Sequence, residues 1–301
     1  MMKATAQTLT AAVTTEKSWV TVYSELFKAR LTFLVLLTTL VGFYTGSHGP
    51  VDYWLMWHTI FGTALVASGA SALNQLWERR FDARMVRTQD RPLPSGRLQP
   101  QAVLWVGCSA SVLGLMYLAL AVNLMTAFLG AASLLIYLFL YTPLKRVTWL
   151  NTAVGAVPGG LPPLMGWTAA RGRLDTEGWL LFAILALWQL PHFLAIAWMY
   201  RDDYAKAGFK MLPVLDPEGH RTGLQAFTQT LCLLPVSLGP FWFKLAGPIY
   251  LCGALVLGLV FVGSAFQFSR HLTVPRARHL FYVSILYLPL LLAVMVLDKI
   301  R

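Results

Sequence analysis

Residues 54–97 read WLMWHTIFGTALVASGASALNQLWERRFDARMVRTQDRPLPSGR, and they join a long apolar segment to an arginine-rich loop. The polar residues Asn74, Glu78 and Asp82 stand at every fourth position where the apolar segment ends. If the segment is a helix through Asp82, successive members of this set turn by roughly 40°, so all three lie on one face. The sequence therefore predicts a membrane helix that ends in one amide and two carboxylates, directly followed by arginines.

Carboxylate and amide oxygens are ligands of hard divalent cations, and arginines bind the anionic groups that such cations bridge. The arrangement therefore favours a site for Mg²⁺ and a diphosphate ester. The alternative is a helix end frayed into solvent, in which Glu78 and the arginines form ordinary surface pairs.

The composition indicates a polytopic, all-α membrane protein. Of the 301 residues, 57% are hydrophobic and only 12% are charged, and the mean hydropathy is +0.60. Soluble domains carry roughly twice that share of charge. The net charge of +11 could suggest a nucleic-acid partner, but cytoplasmic loops of membrane proteins collect Lys and Arg. We therefore expect membrane lipid around the chain and no nucleic acid.

Nine apolar segments approach the ~20 residues needed to cross a bilayer, and we expect them to enclose a central cavity. Most of the 24 Lys and Arg residues fall on the inside if the N-terminus is inside and the C-terminus outside. We expect a polar N-terminal tail over 1–25 and a single transmembrane domain over 26–301. The absence of an N-terminal targeting extension favours a bacterial inner membrane, with the site on its cytoplasmic side. The segments are 27–46, 54–76, 102–122, 124–141, 150–169, 178–200, 224–243, 247–268 and 279–297.

A second acidic loop follows the sixth segment and carries Arg201, Asp202, Asp203 and Lys206. Seven of the 13 Asp and Glu residues lie either in this region, from Asp202 to Glu218, or at the arginine-rich loop, from Glu78 to Asp90. Acidic residues contribute little to topology, so the clustering suggests that the two loops work as a pair around one ligand. The alternative for the two aspartates is a salt bridge within the loop.

These motifs resemble the UbiA-type intramembrane prenyltransferases, which act on aromatic acceptors. Residues 74–96 fit the form NxxxExxxDxxMxRTxxRPLPxG of the branch that farnesylates haem, while Gln75 replaces the first acid of the wider family's NDxxDxxxD. The second loop resembles (R/K)(D/E)DYxxAGxxMLPV, and a GG-x-PP run at 159–163 and Pro-His-Phe at 191–193 agree. The segment 28–30 departs mildly from the usual KPR.

The resemblance implies transfer of a farnesyl group from farnesyl diphosphate to a vinyl group of protohaem IX (haem b). Mg²⁺ would assist ionisation to an allylic carbocation, diphosphate would leave, and water would add to give haem O. The open question is which of Asp202 and Asp203 touches the metal. The expected catalytic, metal-binding residues are Asn74, Glu78, Asp82, Asp202 and Asp203, and the expected diphosphate-binding residues are Arg87, Arg91, Lys145, Arg201 and Lys206.

Two further residues are candidates with an open alternative each. Tyr141, in the segment that ends at Lys145, either stabilises the carbocation with its ring face as a catalytic residue or belongs to the interfacial aromatic belt. His192 lies in an apolar segment, where ionisable groups are usually functional. It either contacts haem or forms a hydrogen bond to a neighbouring helix.

Three other functions compete with this interpretation. The nearest is the same chemistry on another aromatic acceptor, such as 4-hydroxybenzoate or chlorophyllide. A secondary transporter would keep its binding groups near the midplane of the membrane, whereas most acids here lie near one face. An assembly factor for an oxidase would not need paired metal-binding loops. Candidate protein partners are haem A synthase and the terminal oxidase assembly machinery.

Overall fold

The computed structural model describes residues 17–300, which consist of α-helices and short loops. Within this range no strand forms, although an isolated β-bridge pairs Ala246 with Lys299. The predicted all-α class is therefore confirmed. The elements are α1 Trp19–Leu26, α2 Ala29–Gly46, α3 Tyr53–Asp82, α4 Pro100–Ala121, α5 Leu124–Leu135, a π-helical turn Ile136–Tyr141, α6 Thr142–Leu144, α7 Asn151–Arg171, α8 Thr176–Met199, α9 Arg201–Lys206, α10 Leu212–Leu215, α11 His220–Trp242, α12 Pro248–Arg270 and α13 Val274–Leu297.

Each of the nine predicted segments coincides with a long helical rod in residues 17–300, with α5, the π turn and α6 forming one rod. The protein is an integral membrane protein, since six of these rods are long and apolar enough to cross a bilayer. The count of nine spans and the orientation stay predictions. The orientation prediction also uses Lys3 and Arg301, which lie outside the described residues. The six rods are α2, α4, Leu124–Leu144, α8, α12 and α13.

The last residues of the predicted polar tail fold as α1. Val22 and Leu26 are buried against Ala72 of α3. Gln75 closes the end of α1, because its Nε2 donates to the carbonyls of Glu25 and Leu26 at 2.8 Å each. Carbonyls at a helix end lack helical partners, so Gln75 has a structural function. Residues 1–16 lie outside the described range, and the domain division stays a prediction.

Glycines let the long helices approach closely. A Cβ at Gly42 of α2 would lie 2.0 Å from the carbonyl oxygen of Pro163 in α7, and a Cβ at Gly69 of α3 would lie 2.3 Å from Ser111 Oγ in α4. Small residues at such crossings give membrane helices their tight packing. These contacts let α2 pack closely against α7, and α3 closely against α4.

The two halves of the bundle differ in their interior. Helices α8 and α11–α13 pack around buried aromatic residues, among them Tyr250, Phe261 and Tyr287, and form a solid core. Helices α2, α3, α5, α7 and α8 instead line a cavity, to which no described residue of α11–α13 contributes. The first half therefore carries the site, and the second half supports it.

Candidate active site

Helix α3 continues through Asp82, as the sequence predicted, and carries Asn74, Glu78 and Asp82 on one buried face. Their side chains line a cavity of about 350 Å³. Glu78 is only 5% exposed and Asp82 only 1% exposed. Buried carboxylates are unfavourable unless they are paired and hydrogen-bonded, so their partners decide what the site can do.

Two cations from different parts of the chain pair with the carboxylates on this face. Lys145 Nζ lies 2.8 Å from Glu78 Oε1, and Arg91 Nη1 lies 2.8 Å from Asp82 Oδ2. The structure therefore brings two of the predicted diphosphate-binding residues onto two of the four predicted metal-binding carboxylates. The second oxygen of each carboxylate has no hydrogen-bond partner within residues 17–300. The site can exchange its internal ion pairs for contacts with a metal and an anion.

The loop after α3 folds back so that Arg91 reaches Asp82. Thr88 Oγ1 donates to the main-chain carbonyl of Asp82 at 2.9 Å, and Met85 is 2% exposed. Gly96 has a φ of +76°, a left-handed conformation that favours glycine. The spacing of the sequence motif thus corresponds to a closed loop over the end of α3.

A proline creates the π-helical turn between α5 and α6. Pro143 has no N–H to donate to the carbonyl of Phe139. The N–H of Thr142 instead bonds to the carbonyl of Tyr137, five residues back, and Thr142 Oγ1 donates to the same oxygen at 2.8 Å. Single π turns occur often at functional sites. Here Tyr137 and Tyr141 both line the cavity, with stacked rings whose centroids are 5.7 Å apart.

Tyr141 lies beside the charged end of the cavity. Lys145 Nζ is 4.5 Å from the centroid of its ring. A Cβ at Gly155 of α7 would lie 2.6 Å from the same ring, so glycine is required for α7 to pack there. This position in the cavity lining favours the carbocation-stabilising role over the interfacial belt, and that role stays a proposal.

The second loop meets the first at this end of the cavity. Arg87 Nη2 donates to the hydroxyl of Tyr204 at 3.1 Å. The N–H of Lys210 donates to the carbonyl of Lys145 at 2.7 Å. Tyr204 and Phe209 both line the cavity. The two regions that the sequence analysis paired are therefore in contact, through tyrosine, arginine and backbone groups.

The acids of the second loop are placed differently. The side chain of Asp202 is 90% exposed and lies 3.9 Å from Arg201, whereas Asp203 is half-buried and Lys206 is exposed. None of these four residues lines the cavity. Successive helical residues turn by about 100°, so the inward position of Tyr204 directs the neighbouring aspartates elsewhere. Their assignment to metal and diphosphate stays a prediction.

His192 packs between α8 and α13 rather than along the cavity. Its Nδ1 is 2.7 Å from Ser284 Oγ. Its ring stacks between those of Trp188 and Phe281, with centroid distances of 5.0 Å on each side. This is the hydrogen bond to a neighbouring helix that the sequence analysis named as the alternative. Contact with haem stays a prediction.

Several polar residues that line the cavity were not predicted from the sequence, among them Lys28, Tyr137 and Gln189. Lys28 Nζ donates to Asn74 Oδ1 at 2.8 Å and to the hydroxyl of Tyr137 at 3.2 Å. The sequence does mark these residues, because lysine, tyrosine and glutamine within or beside apolar membrane segments are expected to have specific partners.

The α3 donor set fits Mg²⁺ only together with a substrate. Among residues 17–300, no three His, Cys, Asp or Glu side chains are grouped to hold a metal by themselves. Glu78 and Asp82 supply two carboxylates one helical turn apart, and Asn74 adds an amide oxygen. Mg²⁺ is commonly held by one or two carboxylates plus substrate phosphates. The residues therefore fit a metal that arrives with, or is completed by, a diphosphate.

Ion pairs at the surface fasten α1 to the loop after α3. Lys17 Nζ lies 2.6 Å from Asp90 Oδ2 and 2.7 Å from Glu25 Oε1. The hydrogen bond from Lys17 lowers the pKa of Asp90, while Asp90 and Glu25 raise the pKa of Lys17. Arg97 joins the same group, 3.5 Å from Glu25. The network holds the loop that carries Arg87 and Arg91.

Comparison with known proteins identifies related chains. The protein is 48% identical to the protoheme IX farnesyltransferase of Solibacter usitatus, over 92% of this chain and 98% of that one. It is 44% identical to the protoheme IX farnesyltransferase of Koribacter versatilis, over 92% of this chain and 93% of that one.

Solved structures share the fold at low sequence identity. A digeranylgeranylglyceryl phosphate synthase superposes with a TM-score of 0.78 and 16% identity, over 93% of this chain and 98% of that one. A UbiA homologue from Archaeoglobus fulgidus bound to DMAPP and Mg²⁺ gives a TM-score of 0.64 and 16% identity, over 91% of this chain and 99% of that one. Residues 35–291 match the family model described as the UbiA prenyltransferase family. Because the family model and these relatives match most of the chain, the protein belongs to the UbiA prenyltransferase family.

Proposed function

We propose that the protein transfers a farnesyl group from farnesyl diphosphate to a vinyl group of haem b, forming haem O and releasing diphosphate. The observation that carries the proposal is the buried carboxylate pair on α3, compensated by Lys145 and Arg91, at one end of an apolar cavity. This arrangement occurs in a chain that is 48% identical to a protoheme IX farnesyltransferase.

The proposed metal site consists of Asn74, Glu78 and Asp82. Their oxygens would hold Mg²⁺, and the substrate phosphates would complete the site. When bound, Mg²⁺ neutralises charge on the departing diphosphate. A UbiA homologue from Archaeoglobus fulgidus is bound to DMAPP and Mg²⁺, which supports this choice of metal. Asp202 and Asp203 stay candidate ligands from the sequence, without a cavity contact to support them.

Arg91 and Lys145 are the proposed diphosphate ligands, with Arg87 at the adjoining tyrosine cluster. Arg91 and Lys145 lie within hydrogen-bond distance of Asp82 and Glu78, so both would be free to turn to phosphate oxygens if these carboxylates held Mg²⁺. Cations fixed where negative charge develops stabilise the transition state without further reorganisation. Arg201 and Lys206 lie outside the cavity lining and have no such support.

Tyr141 faces the position where the allylic carbocation forms. Its ring borders Lys145 on one side and Gly155 on the other. The face of an aromatic ring attracts a cation, and the apolar walls beyond it exclude bulk water during ionisation. The farnesyl chain occupies the apolar part of the cavity formed by α2, α5 and α7.

The proposed location is a bacterial inner membrane with the site at the cytoplasmic face. Membrane insertion rests on the six apolar helices and on the family. The cytoplasmic side is supported by the arginine-rich loop after α3. Haem A synthase and the terminal oxidase assembly machinery stay candidate partners.

The test is the mass of the product. Purified protein receives farnesyl diphosphate and Mg²⁺ with either haem b or 4-hydroxybenzoate. We expect haem b alone to be converted, to a product heavier by one farnesyl group and one hydroxyl group. Prenylation of the benzoate alone would replace the acceptor in the proposal. Ion flux through proteoliposomes without any prenylated product would overturn the enzymatic function itself.

A further inference from the structure

The diphosphate chemistry gives no role to several polar side chains in the cavity, among them Gln189. Gln189 of α8 is 6% exposed and lines the cavity. Its Nε2 donates to the carbonyl of Leu185 at 3.0 Å, which fixes the amide orientation because that carbonyl can only accept. Gln189 Oε1 accepts no hydrogen bond from residues 17–300. An unpartnered amide oxygen in an apolar chamber is unfavourable, so it indicates a ligand with a hydrogen to donate.

A second candidate acceptor is the carbonyl of Gly159 in α7, which lacks its usual α-helical donor. A Cβ at Gly159 would lie 1.9 Å from Gln189 Oε1, so the amide packs directly against the backbone of this glycine. Pro163 has no N–H to donate to the Gly159 carbonyl. The carbonyl of Pro158, freed by the same proline pair, accepts from Ser133 Oγ at 3.2 Å. No side chain in residues 17–300 does the same for Gly159.

The two acceptors lie one helical turn further into the membrane than Tyr141. Gly155 contacts the Tyr141 ring, and Gly159 follows it by four residues, or about 6 Å along α7. Helix α7 begins at the loop end of the cavity, where Asn151 Nδ2 donates to the carbonyl of Lys210. The acceptor pair is thus about one helical turn from the ring of Tyr141, which the proposed function places beside the carbocation.

We propose that Gln189 Oε1 and the Gly159 carbonyl bind the water molecule that adds to the farnesylated acceptor. The inference rests on the proposed function. A farnesyl chain has no polar hydrogen, and the porphyrin nitrogens of haem bind iron and carry none. Water has two hydrogens for two acceptors. When both are donated, its lone pairs point away from α7 and α8, into the cavity.

The electron and proton balance is simple. The C1–O bond of farnesyl diphosphate breaks and its electron pair leaves with the diphosphate. The π pair of the vinyl group forms the new C–C bond, which leaves a cation on the carbon attached to the porphyrin ring. A lone pair of the bound water forms the C–O bond, and the proton that water loses passes to the released diphosphate. Gln189 positions the water and takes no proton itself.

The test is the ratio of two products rather than the rate. If water is not held, the same cation loses a proton and yields an alkene that is lighter by one water. In Gln189→Met we expect the alkene-to-alcohol ratio to rise about tenfold, the ratio that corresponds to a hydrogen bond of about 1.4 kcal/mol. Gln189→Glu keeps an acceptor and is expected to retain mainly the alcohol. Mass spectrometry of the haem products measures both.

Gly159→Ala provides an independent test, because the added Cβ displaces the Gln189 amide while leaving Gln189 in place. We expect the same shift toward the alkene. Gln229→Met is the matched control, since Gln229 Oε1 of α11 is buried without a partner and Gln229 lies outside the cavity lining. An unchanged product ratio in both Gln189→Met and Gly159→Ala would overturn the inference. Absence of any farnesylated haem in the wild type would instead overturn the proposed function.

Discussion

Helices α3 and α9 both carry acidic residues next to arginines, yet their environments are opposite. On α3, Glu78 and Asp82 are buried, and each has its own cation. On α9, Asp202 is almost fully exposed, and Tyr204 is the residue that turns inward. Charge in water is weakly coupled to its neighbours, whereas charge in an apolar chamber is strongly coupled. Burial of carboxylates that are paired with cations, rather than the acidic motif alone, therefore distinguishes the proposed metal site.

The largest loss of activity is expected when the α3 carboxylates are neutralised. We expect Glu78→Gln and Asp82→Asn each to lower kcat/KM for farnesylation by about 100- to 1,000-fold, the size seen when one fixed electrostatic contact to a transition state is removed. Asp202→Asn, which leaves the cavity untouched, is the control and is expected to stay close to wild type. Steady-state assays with haem b measure all three.

Asp203→Asn tests the same difference between α3 and α9 at the second acid of α9. Asp203 is half-buried and lies outside the cavity lining, so we expect a smaller loss than for Glu78→Gln. An equal loss would return the α9 acid to the metal site that the sequence predicted.

The next effect concerns the buried ion pair. Lys145→Met leaves Glu78 without its cation, and breaking a buried pair in this way typically costs about 3–5 kcal/mol of stability. We expect the double variant Lys145→Met/Glu78→Gln to recover much of that stability but no activity. Thermal unfolding in detergent measures the first and farnesylation the second. Lys206→Met, at the exposed end of α9, is the control, and a loss of stability there equal to that of Lys145→Met would contradict the distinction.

A smaller effect is expected for His192 in the solid half of the bundle. His192→Leu removes the hydrogen bond to Ser284, worth about 1 kcal/mol, and should lower thermal stability slightly. Because His192 does not line the cavity, we expect the KM for haem b to change less than about threefold, well under 1.4 kcal/mol. A tenfold rise in that KM at unchanged KM for farnesyl diphosphate would favour the haem-contacting role.

The smallest effect is expected at the surface network. Lys17 lowers the pKa of Asp90, so the Asp90 carboxylate stabilises the fold above its ordinary pKa of about 3.9. That contribution disappears as the pH falls through the lowered value. Asp90→Asn should therefore be slightly less stable than the wild type to heat at neutral pH, and this difference should vanish in strong acid. A difference that persists there would contradict the ion-pair account.

The sequence was sufficient for features with local causes. The spacing of Asn74, Glu78 and Asp82 gave the correct face of α3, and hydropathy located the nine long rods. It was insufficient where tertiary contacts decide. The inward residue of α9 depends on how Tyr204 packs against Arg87. Gln189 becomes a cavity residue only because Gly159 lets its amide approach α7, a contact between separate helices that no local pattern contains.

The central claim is that the α3 carboxylates bind a magnesium–diphosphate unit, and binding of unreactive farnesyl thiodiphosphate tests it most directly. Calorimetric titration of the wild type should give tight binding with Mg²⁺ and at least about tenfold weaker binding with EDTA, a loss of about 1.4 kcal/mol. In Glu78→Gln the dependence on Mg²⁺ should disappear. Equal affinity with and without Mg²⁺ in the wild type, or full Mg²⁺ dependence in Glu78→Gln, would contradict the account.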